Sequence, residues 1–237
     1  MLKIEHLTKK YDEFKAVDDL SLTIENGKIY GFIGHNGAGK TTTLKSIVGV
    51  MPFDEGEIYI DGVSIKDNPI ECKRNLAYIP DNPDLYEYLS GIQYLNFVAD
   101  VYQVSKKDRE ERIKKYADML ELTSDLAQPV SAYSHGMKQK LALIAGFIHD
   151  PKLVIMDEPF VGLDPKASHL LKGIMKDLCD RGGAIFFSTH VLEVAEKLCD
   201  EIAIIKKGKL LISGPTHEVI GDDSLEEVFL ELEDDHA

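Results

Sequence analysis

Lys28-Ile29-Tyr30-Gly31-Phe32-Ile33 runs straight into Gly34-His35-Asn36-Gly37-Ala38-Gly39-Lys40-Thr41-Thr42, and the stretch from Thr41 to Val48 has helical character. A short apolar strand, a glycine-rich turn and a helix in that order form the setting a phosphate-binding loop requires, and Gly34 to Thr41 matches its pattern in full. Glycines let consecutive backbone N–H groups turn inward around a polyphosphate. The helix beginning near Lys40 adds its positive dipole end, and the Lys40 ammonium reaches the β and γ phosphates. Thr41 supplies a hydroxyl for Mg²⁺. The fold class that follows is α/β, a nucleotide-binding core built on a largely parallel sheet.

The rest of the chain divides around that loop. Upstream and just downstream, Leu20, Leu22 and Ile24 alternate with polar residues, as do Ile58 and Ile60 before a turn at Asp61-Gly62, which predicts half-buried antiparallel strands. From about Leu85 to Ile148 the period changes: Ile113, Tyr116, Ala117 and Leu120 share one helical face, with Lys and Glu opposite. After Lys152, apolar runs at Leu153–Met156, Ala184–Phe187 and Ile202–Ile205 alternate with helical patterns, which predicts a parallel sheet with crossover helices. Pro165 and Gly182 bracket one of those helices. The expected organisation is a nucleotide-binding domain over residues 1–220, with a helical insert at about 85–150, and an acidic tail at 221–237.

Bulk properties exclude several functions. The 237 residues carry a formal net charge of −14, and a phosphate-backbone binder needs clustered Lys and Arg, so no nucleic-acid partner is expected. Part of the charge is local, because Asp222, Asp223, Glu226, Glu227, Glu231, Glu233, Asp234 and Asp235 crowd a segment without Lys or Arg. That segment reads as a solvated end, although Leu225, Val228, Phe229 and Leu232 recur at helical spacing and suit a short docking helix. Cys72, Cys179 and Cys199 are odd in number and scattered, which fits a reducing cytosol rather than a disulfide framework. No apolar run approaches the ~18 to 20 residues needed to cross a bilayer, and no secretory leader is evident. Any membrane role is then peripheral and runs through a partner.

Leu153-Val154-Ile155-Met156-Asp157-Glu158 is an apolar strand ending in two carboxylates, at the strand end where open α/β sheets present ligands. Asp157 suits Mg²⁺, and Glu158 suits orienting and polarising an attacking water. With these motifs in place, Tyr133-Ser134-His135-Gly136-Met137 resembles the signature sequence of ABC ATPases, in a variant form found in exporter subunits. The order along the chain is similar to that family: loop at Gly34, signature at Ser134, carboxylates at Asp157 and Glu158, then Gly162-Leu163-Asp164, then Ser188-Thr189-His190. The usual signature is Leu-Ser-Gly-Gly-Gln, of which Ser134 and Gly136 are kept. Taken alone, Ser134 is equally an ordinary helix cap.

The resemblance implies further roles. Tyr11 corresponds to the aromatic that stacks on adenine, Asp164 to a residue that communicates across a dimer, and His190 to the switch histidine that contacts the γ phosphate and the attacking water. Gly34, His35, Asn36, Gly37, Ala38, Gly39, Lys40, Thr41 and Thr42 would hold ATP in one chain, and Ser134 and Gly136 would cover the ATP of the other. Asp81 stands where the family has Gln, beside the Mg²⁺ and γ phosphate, and its alternative is a plain turn cap in Pro80-Asp81-Asn82-Pro83. The expected catalytic set is Glu158, His190 and Lys40; the expected metal set is Thr41, Asp157 and Asp81; ATP and Mg²⁺ are the expected cofactors.

The implied assembly is an ATP-hydrolysing subunit that pairs with a second ATP-binding subunit and drives export through a separate transmembrane permease, from the cytoplasmic face of the membrane. A soluble ABC ATPase without a permease is the alternative, although paired cassettes, long coiled coils and basic surfaces are not evident. A nucleotide kinase would need an Arg-rich lid, and Arg74, Arg109, Arg112 and Arg181 are few and scattered.

Overall fold

The computed structural model describes residues 1–234, and side chains as far as Leu232; Asp235 and His236 lie outside the described residues. Among the described residues ten strands form two sheets. β1 (Leu2–Tyr11), β2 (Phe14–Ile24), β4 (Glu55–Ile60) and β5 (Val63–Ser64) make an antiparallel sheet in the order β2-β1-β4-β5. The alternation read in β2 holds, with Leu20, Leu22 and Ile24 buried and the residues between them turned outward.

The second sheet has the order β10-β9-β3-β8-β7-β6, built from β3 (Ile29–Ile33), β6 (Leu76–Ile79), β7 (Leu153–Asp157), β8 (Ala184–Thr189), β9 (Glu201–Lys206) and β10 (Lys209–Pro215). Every pairing in it is parallel except the terminal hairpin of β9 with β10. β3, β7 and β8 are buried at every position, as central parallel strands covered on both faces must be. Their period of two feeds two cores. Ile29, Ile33, Val154, Met156, Ile185 and Phe187 face the helices, while Tyr30, Phe32, Leu153, Ile155, Ala184 and Phe186 face the antiparallel sheet.

Helices α1 (Lys40–Ile47), α2 (Pro69–Arg74), α3 (Gly91–Val101), α4 (Lys106–Met119), α5 (His135–Phe147), α6 (Pro165–Asp180), α7 (Leu192–Leu198), α8 (Thr216–Ile220) and α9 (Leu225–Asp234) connect and flank the sheets. α3, α4 and α5 fall in the stretch where the hydrophobic period changes, and Ile113, Tyr116, Ala117 and Leu120 are all buried. α3 starts with a reciprocal cap, since Ser90 accepts from the Gln93 N–H and Gln93 accepts from the Ser90 N–H. No helix among the described residues is long and apolar enough to cross a membrane.

The acidic end differs from the solvated segment that its charge suggests. α9 is helical and buries Leu225 completely and Phe229 to within 7% exposure, because these apolar residues share one face, while Glu226, Glu227 and Glu231 are exposed.

Candidate functional site

Four neighbouring parallel strands, β3, β8, β7 and β6, end on the same edge of the sheet. Each delivers a functional segment there: the glycine loop after β3, His190 after β8, Asp157 and Glu158 at the end of β7, and Asp81 after β6. This convergence follows from topology, since parallel strands present their carboxyl ends together.

The loop wraps the Lys40 ammonium, which donates to the Gly34 carbonyl at 2.6 Å and the His35 carbonyl at 3.2 Å. Gly39 adopts φ +108°, and a Cβ there would stand 2.3 Å from the Ala16 carbonyl oxygen, so no other residue fits. A Cβ at Gly34 would likewise meet the Ile205 carbonyl at 2.5 Å. The turn between β9 and β10 supports the loop from below, its Gly208 N–H donating to the Ala38 carbonyl at 2.9 Å.

Thr41 and Asp157 meet directly, the threonine hydroxyl donating to a carboxylate oxygen at 2.6 Å. Ser188, the in-register partner of Asp157 on β8, donates to the other oxygen at 2.5 Å and accepts from the Glu158 N–H at 3.1 Å. Glu158 has φ +48°, a left-handed backbone uncommon for a side-chain-bearing residue. Its Oε1 lies 2.9 Å from His190 Nδ1 and 3.7 Å from Lys40 Nζ. Burial pulls the Lys40 ammonium below its ordinary pKa, while the Glu158 and Asp157 charges oppose that shift. An anion bound beside Lys40 would relieve the same cost.

These residues line a cleft of about 340 Å³ whose walls are Tyr11, His35, Asn36, Gly37, Gly39, Lys40, Thr41, Thr42, Asp81, Asp157 and Glu158, with Phe14 and Ala16 added. Among the described residues no group of three or more His, Cys, Asp or Glu is placed to hold a metal by itself. Thr41 and Asp157, two hard oxygen ligands already in contact, suit Mg²⁺ completed by phosphate oxygens and water. The residues present therefore fit the metal that the motifs imply.

Two residues of the site, Phe14 in the cleft wall and Ser188 behind it, were not legible as such in the sequence. Tyr11 and Phe14 face each other across the two-residue turn of the β1–β2 hairpin, 45% and 60% exposed, so the cleft is flanked by a pair of aromatics rather than one. The signal available was the second aromatic three positions on. Ser188 was visible only as part of the Ser188-Thr189-His190 run, and its bonds to both acids depend on strand register.

The remaining candidates gather elsewhere. Ser134 caps α5, its hydroxyl accepting from the Met137 N–H at 3.3 Å, so the capping reading is realised. Asp164 caps α6, accepting from the Ala167 N–H at 2.8 Å, and pairs with Lys140 at 3.1 Å. The capping N–H and Lys140 hold the Asp164 carboxyl below its usual range. The two helix starts are locked together: a Cβ on Gly136 would meet the Gly162 carbonyl at 2.9 Å, and one on Gly162 would strike the His135 ring at 2.6 Å. Ser134 and His135 are exposed, and Ser134, Gly136 and Asp164 do not line the cleft of their own chain. Gly34 and Ala38 lie under the loop rather than in its wall, and His190 stands at the rim through Glu158.

Comparison with known proteins identifies the family of the chain. The ABC transporter family profile matches residues 17–161. The chain is 39% identical over 212 residues to the uncharacterised ABC transporter ATP-binding protein YhcH of Bacillus subtilis, covering 89% of this chain and 68% of YhcH. It is 34% identical over 242 residues to the ABC-type transporter ATP-binding protein EcsA of the same organism, covering 100% of this chain and 98% of EcsA. A solved ATP-binding subunit of an ABC transporter superposes with a TM-score of 0.94 at 34% identity, covering 98% of this chain and 99% of that one. Other relatives are longer, the chain spanning 63% of one of them.

Proposed function

The chain belongs to the ABC transporter family as an ATP-binding subunit, and from that premise we propose that it hydrolyses Mg²⁺-ATP to drive export through a separate transmembrane permease. The observation that carries the hydrolytic reading is Glu158, fixed in a left-handed backbone with one oxygen 2.9 Å from His190 Nδ1 and 3.7 Å from Lys40 Nζ. A carboxylate so held, at the end of a strand and beside a phosphate loop, has the position of a base that orients water.

In this mechanism the loop N–H groups and Lys40 hold the β and γ phosphates, and Tyr11 with Phe14 stacks on the base. Thr41 and Asp157 would hold Mg²⁺, which would supply positive charge against the phosphate oxygens. Ser188 keeps the Asp157 carboxylate turned toward Thr41 and pins the Glu158 backbone. Glu158 accepts a proton from water, and His190 orients Glu158 and meets the γ phosphate. Ser134, Gly136 and Asp164, standing outside their own cleft, serve the ATP of a second ATP-binding subunit when two chains close face to face. Reopening follows hydrolysis.

The permease contact is assigned to the helical segment at about 85–150 with the loop after β6. Tyr86, Tyr88, Phe97 and Val101 are exposed there, and the Tyr86 ring lies 5.9 Å from Tyr88 and 5.4 Å from Phe97. An exposed aromatic group of this kind marks a docking surface. It is continuous in sequence with Asp81, which lines the ATP cleft. The chain would then act from the cytoplasmic face of the membrane. The export direction rests on the variant signature, which resembles that of exporter subunits.

Glu158→Gln tests the reading. ATP binding is expected to persist while hydrolysis falls by about 10²- to 10⁴-fold, the range for loss of a general base. Light scattering of this variant is expected to show a dimer with ATP and a monomer without it. Parental hydrolysis by Glu158→Gln would defeat the assignment.

A further inference from the structure

The phosphate loop is anchored at its two ends, by Ile205 beside Gly34 and by Ala16 and Gly208 beside Gly39 and Ala38, while His35, Asn36 and Gly37 between them are exposed. Three of its first six residues are glycines, and open space surrounds Gly37, where a Cβ would meet nothing within 4 Å. Such a loop loses much conformational freedom on ordering around phosphate. Its largest side chain ahead of Lys40 is His35, and the His35 ring receives Phe229 edge-on, with centroids 5.0 Å apart at 74°.

Phe229 is 7% exposed and belongs to α9, which is tied to a second active-site segment as well. The Leu225 N–H donates to the Glu196 carboxylate at 2.9 Å, and Leu225 is fully buried. Glu196 lies on α7, the helix that begins at Leu192, just past His190. α9 has its own start signal, with Ser224 N–H and hydroxyl both donating to Glu227 at 2.8 Å and the Glu227 N–H returning to Ser224 Oγ at 3.3 Å. The helix thus bridges the loop after β3 and the helix after His190 from outside the sheet.

We propose that Phe229 is a positioning residue for the phosphate loop: α9 holds the His35 ring, and through it the loop backbone, in the geometry that receives the polyphosphate. Preorganising the loop lowers the entropy lost on binding, so the effect falls on nucleotide affinity rather than on the chemical step. The inference rests on the reading of the cleft as an ATP site, and one experiment separates the two.

Full-length wild type, Phe229→Leu, Phe229→Tyr, His35→Ala and the His35→Ala/Phe229→Leu double variant are titrated with ATP and assayed for hydrolysis, with thermal unfolding followed in parallel. Leucine keeps apolar bulk in the core and removes only the ring. Phe229→Leu is expected to weaken ATP binding and raise KM about two- to tenfold with kcat little changed, the size of one aromatic contact. Phe229→Tyr is expected to stay within about twofold of wild type. The double variant is expected to bind no more weakly than His35→Ala, because both remove the same contact. Unchanged affinity in Phe229→Leu, or additive losses in the double variant, overturns the proposal even if Phe229→Leu unfolds at lower temperature. Failure of wild type to bind ATP overturns the ATP reading and the proposal with it.

Discussion

Ser188 is small, fully buried, and bonded to both acids of the site. Removing its hydroxyl leaves Asp157 with one neighbour fewer and frees the Glu158 backbone, whose left-handed conformation needs surrounding structure to persist. Hydrogen bonds to charged groups contribute about 1.5–3 kcal/mol, so Ser188→Ala is expected to lower kcat by about tenfold or more. ATP affinity should change little, because the loop itself is untouched. Lys40→Ala should do the reverse and weaken binding first, as its ammonium lies inside the loop proposed to hold the phosphates. Equilibrium titration with ATP beside steady-state hydrolysis distinguishes the two patterns.

At the scale of elements, the end of α5 carries a proton-linked term in stability. His149 stacks on Tyr102 with ring centroids 3.6 Å apart at 11°, and its Nε2 lies 3.2 Å from the Leu76 carbonyl. Burial pushes its pKa down to about 4, with the Arg112 charge lowering it further and the Leu76 bond and the Asp150 charge opposing. The unfolded imidazole titrates near 6.5, so between pH 6.5 and 4 the unfolded chain binds more protons than the folded one. This contribution is complete above pH 6.5 and is lost as pH falls toward 4. About 2 kcal/mol would go by pH 5, less whatever solvent screening at the partly exposed ring removes. Thermal unfolding of wild type is expected to drop between pH 7 and 5. His149→Phe, which keeps the stack and cannot be protonated, is expected to drop less.

Across the whole molecule, two groups of residues stand outside the cleft, as the assembly proposed above requires. The signature residues and Asp164 sit at locked helix starts outside their own cleft, while the aromatic surface of Tyr86, Tyr88 and Phe97 adjoins the segment that brings Asp81 to that cleft. If these are the two contacts of a working transporter, Tyr88→Ala should leave the ATPase rate of the isolated chain within about twofold and abolish its response to the permease, since Tyr88 is 81% exposed and supports no core. Asp81→Ala should leave ATP binding nearly intact, modestly weaken Mg²⁺ dependence and uncouple hydrolysis from the permease, with Asp81→Gln preserving coupling. ATPase rates against Mg²⁺ concentration, with and without the permease, read both, and unchanged coupling in Asp81→Ala would reduce that residue to a turn cap.

What lay open in the amino-acid order was what is written locally. The strand, glycine loop and helix around Lys40 are contiguous, so composition and period reveal them without a fold, and Asp157-Glu158 closes an apolar run whose strand character is equally local. The alternation of Leu20, Leu22 and Ile24 and the helical face of Ile113 to Leu120 belong to the same class, because burial periodicity is imprinted on neighbouring residues. The role of Ser188 depends on the register of β7 against β8, a pairing of segments some 30 residues apart. The pairing of Phe14 with Tyr11 depends on a hairpin turn, and the acidic end gave no sign that Phe229 reaches His35 across almost the whole length of the chain. The contacts of Ser188 and Phe229 form only when the fold brings distant segments together, and no short-range pattern records that order.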